Sequence, residues 1–257
     1  MPDSLDLENK NLLVTGISRA SGIGVAIAIK CQQAGANVII HGNHNYDRDR
    51  EYIDASSSFQ TDFAREYNLK ILPESDLAAP QAPEIAIAQA RELCGYLDGL
   101  VLNHAYSVNA DILNCTAENI DNHLNINVRA SMLMIQAFAK QSDRDHGGVI
   151  TLFTSGQYLG AMTEEIAYAV SKEAIRGLCT QAAAALAPHN IRVNCVNPGA
   201  TDTNYLTGEA YQQVANMFPH GRWGTPEDAA KLVHFLHSDY DSWITGQTIA
   251  SEGGFQR

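Results

Sequence analysis

Seven short apolar runs recur along the chain, and the segments between them carry the wider spacing of helices. The runs are NLLVT (11–15), NVIIH (37–41), KILPE (70–74), GLVLNH (99–104), GVITLFT (148–154), IRVNCVN (191–197) and GQTIAS (246–251). Several are almost continuously apolar, as in strands covered on both faces. Helical patterns run over Gly22–Gln33, Pro83–Tyr96, Ala117–Gln141, Glu164–Ala187 and Pro226–His237. The last has a clear start: Thr225 as N-cap, Pro226 at the first helical position, then Glu227 and Asp228 in the positive first turn. Strands joined through helices pair in parallel, so the alternation predicts an α/β fold. We expect one domain over residues 1–257, a doubly wound, parallel, seven-stranded sheet with helices on both faces. Two stretches break the rhythm. Residues 42–63 are polar and read as a loop-like insertion after the second strand. Residues 198–224 are irregular and follow the carboxyl end of a strand, where open α/β sheets bind ligands, so a mobile substrate lid is expected there.

Charge and composition exclude several functions. The formal net charge of −12 argues against a nucleic-acid backbone or an anionic membrane as partner. No apolar run approaches the roughly 18 residues of a membrane span. The acidic, polar start MPDSLDLENK does not resemble a signal peptide, so a cytoplasmic location is expected. The five cysteines, Cys31, Cys94, Cys115, Cys179 and Cys195, include no CxxC pair and read mostly as buried free thiols. The pairs His41/His44 and His234/His237 lack a third ligand candidate, so no metal site is expected and the histidines read as exposed.

The first strand runs into TGISRASGIG, Thr15 to Gly24, and then into a helix. Glycines at that connection have distinct uses. Gly16 allows the turn, Gly22 lets a pyrophosphate approach the backbone, and Gly24 lets the helix pack close to the sheet. Helix N-terminal amides and the macrodipole favour the phosphate charge. The pattern is that of a dinucleotide-binding Rossmann unit.

Here the residues resemble the short-chain dehydrogenase/reductase family, whose loop usually reads TGxxxGIG. This chain has two more residues between Thr15–Gly16 and Gly22, a spacing similar to that of the enoyl-acyl-carrier reductases of the same superfamily. The resemblance implies that Gly16, Ser18, Arg19, Gly22, Ile23 and Gly24 border the cofactor. Members that use NAD usually carry an acid near the end of the second strand, at the position of Gly42. The nearest following acid here is Asp47, while Arg19 offers a bidentate phosphate donor, with His41, Asn43 and His44 in support. NADP(H) is therefore favoured, with NAD(H) as the alternative. Asp76–Leu77 resembles the adenine-contacting pair. Asn103, His104 and Ala105 resemble the NNAG motif, with His104 replacing Asn and Tyr106 replacing Gly.

YAVSK places Tyr168 and Lys172 one helical turn apart on one face. An ammonium beside a phenol favours the phenolate, which suits proton exchange with a carbonyl or alcohol oxygen near neutral pH. Ser155 closes the fifth strand thirteen residues before Tyr168, placed to hydrogen-bond a substrate oxygen. The resemblance assigns Asn127, in NINVRA, to a water-linked proton relay with Lys172, with Asn125 as the alternative. It sets Pro198 and Gly199, with Thr201 or Thr203, against the nicotinamide carboxamide or the pyrophosphate. It also implies a homotetramer built on the helices 117–141 and 164–187. The expected activity is a carbonyl/secondary alcohol oxidoreductase, with small-molecule carbonyls or 3-oxoacyl thioesters as substrates. Two alternatives stay open. An enoyl reductase is suggested by the long loop and by Tyr158 ten residues before Tyr168, although Ile175 stands where such enzymes carry lysine. The other is a dinucleotide-binding sensor or scaffold without turnover.

Overall fold

Each apolar run becomes a strand, and each strand pairing is parallel. The computed structural model describes residues 6–49, 56–142, 145–204 and 206–255. The strands are β1 (Asn11–Thr15), β2 (Asn37–His41), β3 (Lys70–Ile71), β4 (Gly99–Leu102), β5 (Gly148–Phe153), β6 (Ile191–Asn197) and β7 (Thr248–Ala250). They form one sheet in the order β3-β2-β1-β4-β5-β6-β7. The order reverses between β1 and β4, which creates the crevice where open α/β sheets bind their ligands.

The helices are α1 (Ile23–Gln33), α2 (His44–Asp49), α3 (Phe59–Glu66), α4 (Ala82–Cys94), α5 (Ala117–His123), α6 (Ser131–Gln141), α7 (Ile166–Leu186), α8 (Gly208–Ala215) and α9 (Pro226–His237). Side-chain alternation along the strands feeds two separate cores. Leu13, Ile39, Leu100, Ile150 and Val193 pack with α4, α6 and α7. Leu12, Val14, Val38, Ile40 and Val101 pack with α1, α3 and α9. The doubly wound, two-faced architecture is thus the expected one.

Four details depart from the sequence reading. Residues 42–63 are not simply a loop: they contain α2 and the start of α3. Phe59, Phe63 and Tyr67 stack at i, i+4 spacing, with ring centroids 5.5 and 5.0 Å apart. Phe63 and Ala64 are buried, which holds α3 to the sheet edge. Residues 50–55 of this stretch lie outside the described residues. Second, the expected helix 117–141 is interrupted by a π-helical turn, Leu124–Ala130, a distortion that often accompanies a functional side chain. Third, KILPE shortens to Lys70–Ile71 because Pro73 has no N–H for the ladder. Fourth, His41, His234 and His237 are buried, not exposed. His41 Nε2 shares a hydrogen bond with Ser75 Oγ at 2.9 Å, and His237 Nε2 shares one with Thr151 Oγ1 at 3.1 Å.

The segment 198–224 carries α8 and a small core of its own. Ala215, Phe218 and Trp223 are buried together, with Leu206 and Tyr211 against them. Tyr211 stacks on Trp223 with ring centroids 5.1 Å apart. The aromatic side chains of this expected lid are therefore largely its own internal packing; Tyr205 lies outside the described residues.

Candidate active site

The glycine turn is built by close approach. Gly16 has φ +74°, and a Cβ there would lie 2.7 Å from the His104 backbone. A Cβ on Gly24 would meet Asn103 Nδ2 at 2.8 Å and Ile17 at 2.9 Å. Asn103 Nδ2 donates to Thr15 O at 3.2 Å and to Gly16 O at 3.1 Å, tying the end of β4 to the turn. His104 Nδ1 shares a hydrogen bond with Thr15 Oγ1 at 2.8 Å. Gly22 differs from the other two. It caps α1 with extended backbone, and only Arg19 O, at 3.3 Å, lies near its Cβ direction. Little else packs around Gly22, which opens an 11-residue helix. That arrangement fits the pyrophosphate of a dinucleotide.

Arg19 joins this turn to residues 198–224. Its Nη1 donates to Thr203 O at 2.9 Å and its Nη2 to Thr203 Oγ1 at 3.3 Å. Ser21 Oγ also donates to Thr203 O, at 2.9 Å. Thr201 instead turns inward: it is buried, and its hydroxyl donates to Pro198 O at 3.3 Å. Thr203, not Thr201, faces the glycine loop. Gly199 has φ +65° and its amide donates to Asn197 Oδ1 at 3.0 Å, which shapes the turn after Pro198.

The other residues expected at the cofactor differ in exposure. His41 is 2 % exposed, and burial pushes its pKa down to about 4, so it lines the strand end as a neutral ring and adds no cation beside Arg19. Leu77 is buried in the α4/α6 core, while Asp76 is exposed and its Oδ1 accepts from Ala78 N at 2.8 Å. Ala105 is exposed at the mouth beyond β4. A Cβ on Gly42 would overlap the Gln60 side chain and Ile17 O. Packing therefore keeps any side chain from this position.

The residues expected to carry chemistry converge where β5 ends against α7. Ser155 follows β5 with extended backbone and is half-buried. Tyr168 sits in the first turn of α7. Lys172, one turn on, is 4 % exposed and has its Nζ 5.5 Å from the Tyr168 ring centroid. Lys172 Nζ donates to Phe153 O at 3.0 Å, and Thr154 Oγ1 donates to Lys172 O at 2.8 Å. These bonds stitch the strand end to the helix. Burial lowers the Lys172 pKa from 10.5 to about 8. No carboxylate pairs with its ammonium among the described residues.

Asn127 projects from the π-helical turn and is 1 % exposed. Its Oδ1 accepts from Tyr106 N at 2.7 Å, and its Nδ2 donates to Tyr106 O at 3.0 Å and Ser171 Oγ at 2.8 Å. Ser171 Oγ in turn donates to Tyr168 O at 2.7 Å. Both amide protons are therefore committed to structure. Asn125 lies apart and accepts from Arg129 Nη1 at 2.6 Å, whose guanidinium also reaches Ala78 O.

Tyr158 is held away from Lys172. Its Oη accepts from Asn197 Nδ2 at 3.3 Å, and its ring lies under the Arg176 guanidinium, 4.0 Å from the centroid. With Met162, Ile166, Val170 and Glu173 it lines a cavity of about 430 Å³ on the exposed face of α7, whereas Lys172 occupies the buried one.

The sequence reading did not single out His123. It is fully buried, with Nδ1 on Asn119 O at 2.7 Å and Nε2 accepting from Val108 N at 3.3 Å. Its ring meets Tyr168 edge-on, with centroids 6.3 Å apart. Its place one turn before Asn127 on an expected helix was the available signal. No group of three or more potential metal ligands occurs among the described residues.

Known proteins resemble this chain along nearly its whole length. A family model described as enoyl-(acyl carrier protein) reductase matches residues 16–256. An uncharacterized oxidoreductase, YjdA of Bacillus subtilis, is 35 % identical over 252 residues, covering 97 % of this chain and 98 % of that one. The chain belongs to the short-chain dehydrogenase/reductase family. Within this family, the 3-oxoacyl-[acyl-carrier-protein] reductase FabG of Aquifex aeolicus is 29 % identical, covering 97 % of this chain and 98 % of that one. A solved short-chain dehydrogenase/reductase from Serratia marcescens superposes with a TM-score of 0.85 at 29 % identity, covering 98 % of this chain and 99 % of its own. The seven-stranded parallel sheet and the oxidoreductase class are thus shared family features. No helix among the described residues is long and apolar enough to cross a membrane.

Proposed function

We propose that this chain interconverts a carbonyl and a secondary alcohol with NADP(H), in preference to NAD(H), as cofactor. The observation that carries the reading is the buried, carboxylate-free Lys172 ammonium one turn from Tyr168 and bonded to the end of β5 at Phe153 O. A buried, uncompensated ammonium costs stability, and it lowers the energy of a nearby phenolate. When bound, the nicotinamide ring supplies or takes up the hydride.

The chain's own residues do the rest. Ser155 donates a hydrogen bond to the substrate oxygen as negative charge builds on it. Tyr168 holds the proton that this oxygen gains, or accepts the one it loses. Lys172 favours the ionised phenol and would hold the cofactor ribose. Asn127 fixes the Tyr106 backbone and Ser171, and through them the start of α7; with both amide protons engaged, its amide serves position. Gly16, Ser18, Gly22, Ile23 and Gly24 form the pyrophosphate cradle, and Arg19 with Thr203 closes its rim. Arg19 is the cation we assign to a 2′-phosphate, and Gly42 leaves no room for an acid to repel it. Residues 198–224 act as the substrate lid.

The substrate class we favour is the 3-oxoacyl thioester, in line with the FabG relative, over the enoyl thioester. Enoyl chemistry would use Tyr158, and its hydroxyl accepts from Asn197 Nδ2 while the Arg176 guanidinium covers its ring. Exposed Ile120, Leu124, Met132 and Val170 supply apolar surface for a homotetramer. The test is NADPH consumption against a panel of ketones, 3-oxoacyl and 2-enoyl thioesters, with Tyr168→Phe beside it. The variant should keep cofactor affinity and lose turnover by at least about a hundredfold, within the usual range for acid–base residues. Retained turnover removes Tyr168 from this role, and exclusive reduction of 2-enoyl thioesters overturns the substrate class.

A further inference from the structure

Two features after the strands touch each other. The insertion after β2 folds as α2, and Tyr106 stands where the motif after β4 usually carries glycine. Tyr46 of α2 packs on Tyr106 with ring centroids 5.6 Å apart. Its Oη accepts from Ser107 N at 3.1 Å and donates to Ser107 O at 3.2 Å. In the sheet, β1 lies between β2 and β4. A segment that leaves β2 and lands on the residues after β4 must therefore cross the end of β1, where the glycine turn begins. This crossing carries Asp47 to Arg19. The carboxylate lies 3.8 Å from Arg19 Nε, with the two side chains 5 % and 15 % exposed.

We propose that Asp47 is a specificity-determining residue that sets the NADPH-to-NADH preference by neutralising Arg19. The proposal rests on the reading that Arg19 meets the 2′-phosphate. A largely buried carboxylate beside a guanidinium competes for its charge, and the competition is stronger than at an exposed pair because little water screens it. A 2′-phosphate has to share Arg19 with Asp47, whereas the neutral 2′-hydroxyl of NADH makes no such demand. The end of β2 cannot bear the family's usual acid, since Gly42 is packed against Gln60 and Ile17. The chain instead brings an acid in on α2 and directs it at the arginine. Tyr46, clasped to Ser107, keeps that acid in place.

Isothermal titration calorimetry on the full chain tests this, with Kd for NADPH and NADH measured separately. The variants are Asp47→Asn, Arg19→Gln and the double substitution. The ratio Kd(NADH)/Kd(NADPH) should rise about tenfold in Asp47→Asn, an effect between those of exposed and fully buried ion pairs. It should not rise when Asp47→Asn is placed on Arg19→Gln. An unchanged or lower ratio in Asp47→Asn overturns the proposal, as does an equal rise without the arginine. Arg19→Gln alone should lower the ratio; if it does not, the assignment of Arg19 to the 2′-phosphate fails first, and separately. Asp47→Ser removes the same charge with a smaller side chain and carries the same expectation should the asparagine variant not fold.

Discussion

Replacing Lys172 by methionine should make the protein more stable at neutral pH while abolishing turnover. In the folded chain the ammonium is buried, and its pKa falls from 10.5 to about 8. At about 1.4 kcal/mol per tenfold change in proton affinity, the charged amine costs the fold about 3 kcal/mol. Methionine fills similar space without that cost, but it forfeits the hydrogen bond to Phe153 O. A buried carbonyl left unpaired costs about 1–3 kcal/mol. The net expectation at pH 7 is a variant about 0–2 kcal/mol more stable. The sign should invert with pH. Below pH 8 the amine is protonated in both the folded and the unfolded chain, and the full penalty is present. Between pH 8 and 10.5 the unfolded chain binds more protons, so wild-type stability rises with pH relative to the variant. By pH 10.5 the wild type should be the more stable of the two. Urea unfolding of both proteins in a Tyr168→Phe background at pH 7, 9 and 10.5, at equal protein concentration, reads the difference directly, because that substitution removes the phenol whose titration Lys172 shifts. A stability difference that stays constant over this range would show that Lys172 is not a desolvated ammonium, and the reasoning behind its role would go with it.

Gly42→Ala should lower Tm by about 3–10 °C, since an added Cβ overlaps Gln60 and Ile17 O and overpacking costs about 1–3 kcal/mol; an unchanged calorimetric Tm contradicts this. Asn127→Leu should leave the buried Tyr106 backbone groups unpaired, costing about 1–3 kcal/mol for each. It should lower kcat far more than it weakens NADPH binding, and equal losses in kcat and cofactor affinity would place Asn127 in the cofactor cradle instead.

The fold was legible because its signals are local. Five strands are covered on both faces, and each announces itself as an apolar run, as in GLVL of β4 with all four residues buried. Thr225, Pro226 and Asp228 likewise mark the start of α9 by their own chemistry, and Asp228 Oδ2 accepts from Thr225 N at 3.0 Å. What escaped depends on partners distant in sequence. The stretch after Gly42 reads as loop because its polar residues outnumber Phe59 and Phe63, yet those two rings suffice to anchor α3 once the edge of the sheet exists. His237 reads as a surface residue on an amphipathic helix until Thr151, 86 positions away, supplies its buried partner.

The site divides along the same line. Tyr168 and Lys172 share one helix, so their juxtaposition followed from a spacing of four. Thr154 adjoins them because the end of β5 packs against that helix, its hydroxyl on Lys172 O. Arg19, by contrast, carries no sign in its own neighbourhood of whether it points to solvent, to a ligand or to the chain. Its contacts with Thr203, 184 positions on, and with Asp47 exist only because β1, β2 and β6 end on the same side of the sheet. Tyr158 shows why this matters for the chemistry. Counted along the chain, it occupies the position of a second tyrosine suited to enoyl reduction. In space, Asn197 holds its hydroxyl and Arg176 covers its ring. Spacing nominates residues for a reaction, but the partners already bound to each side chain decide which of them are free to perform it. The partners of Tyr158 speak against it, so our proposal keeps the proton chemistry at Tyr168, with the Lys172 ammonium 5.5 Å from its ring centroid.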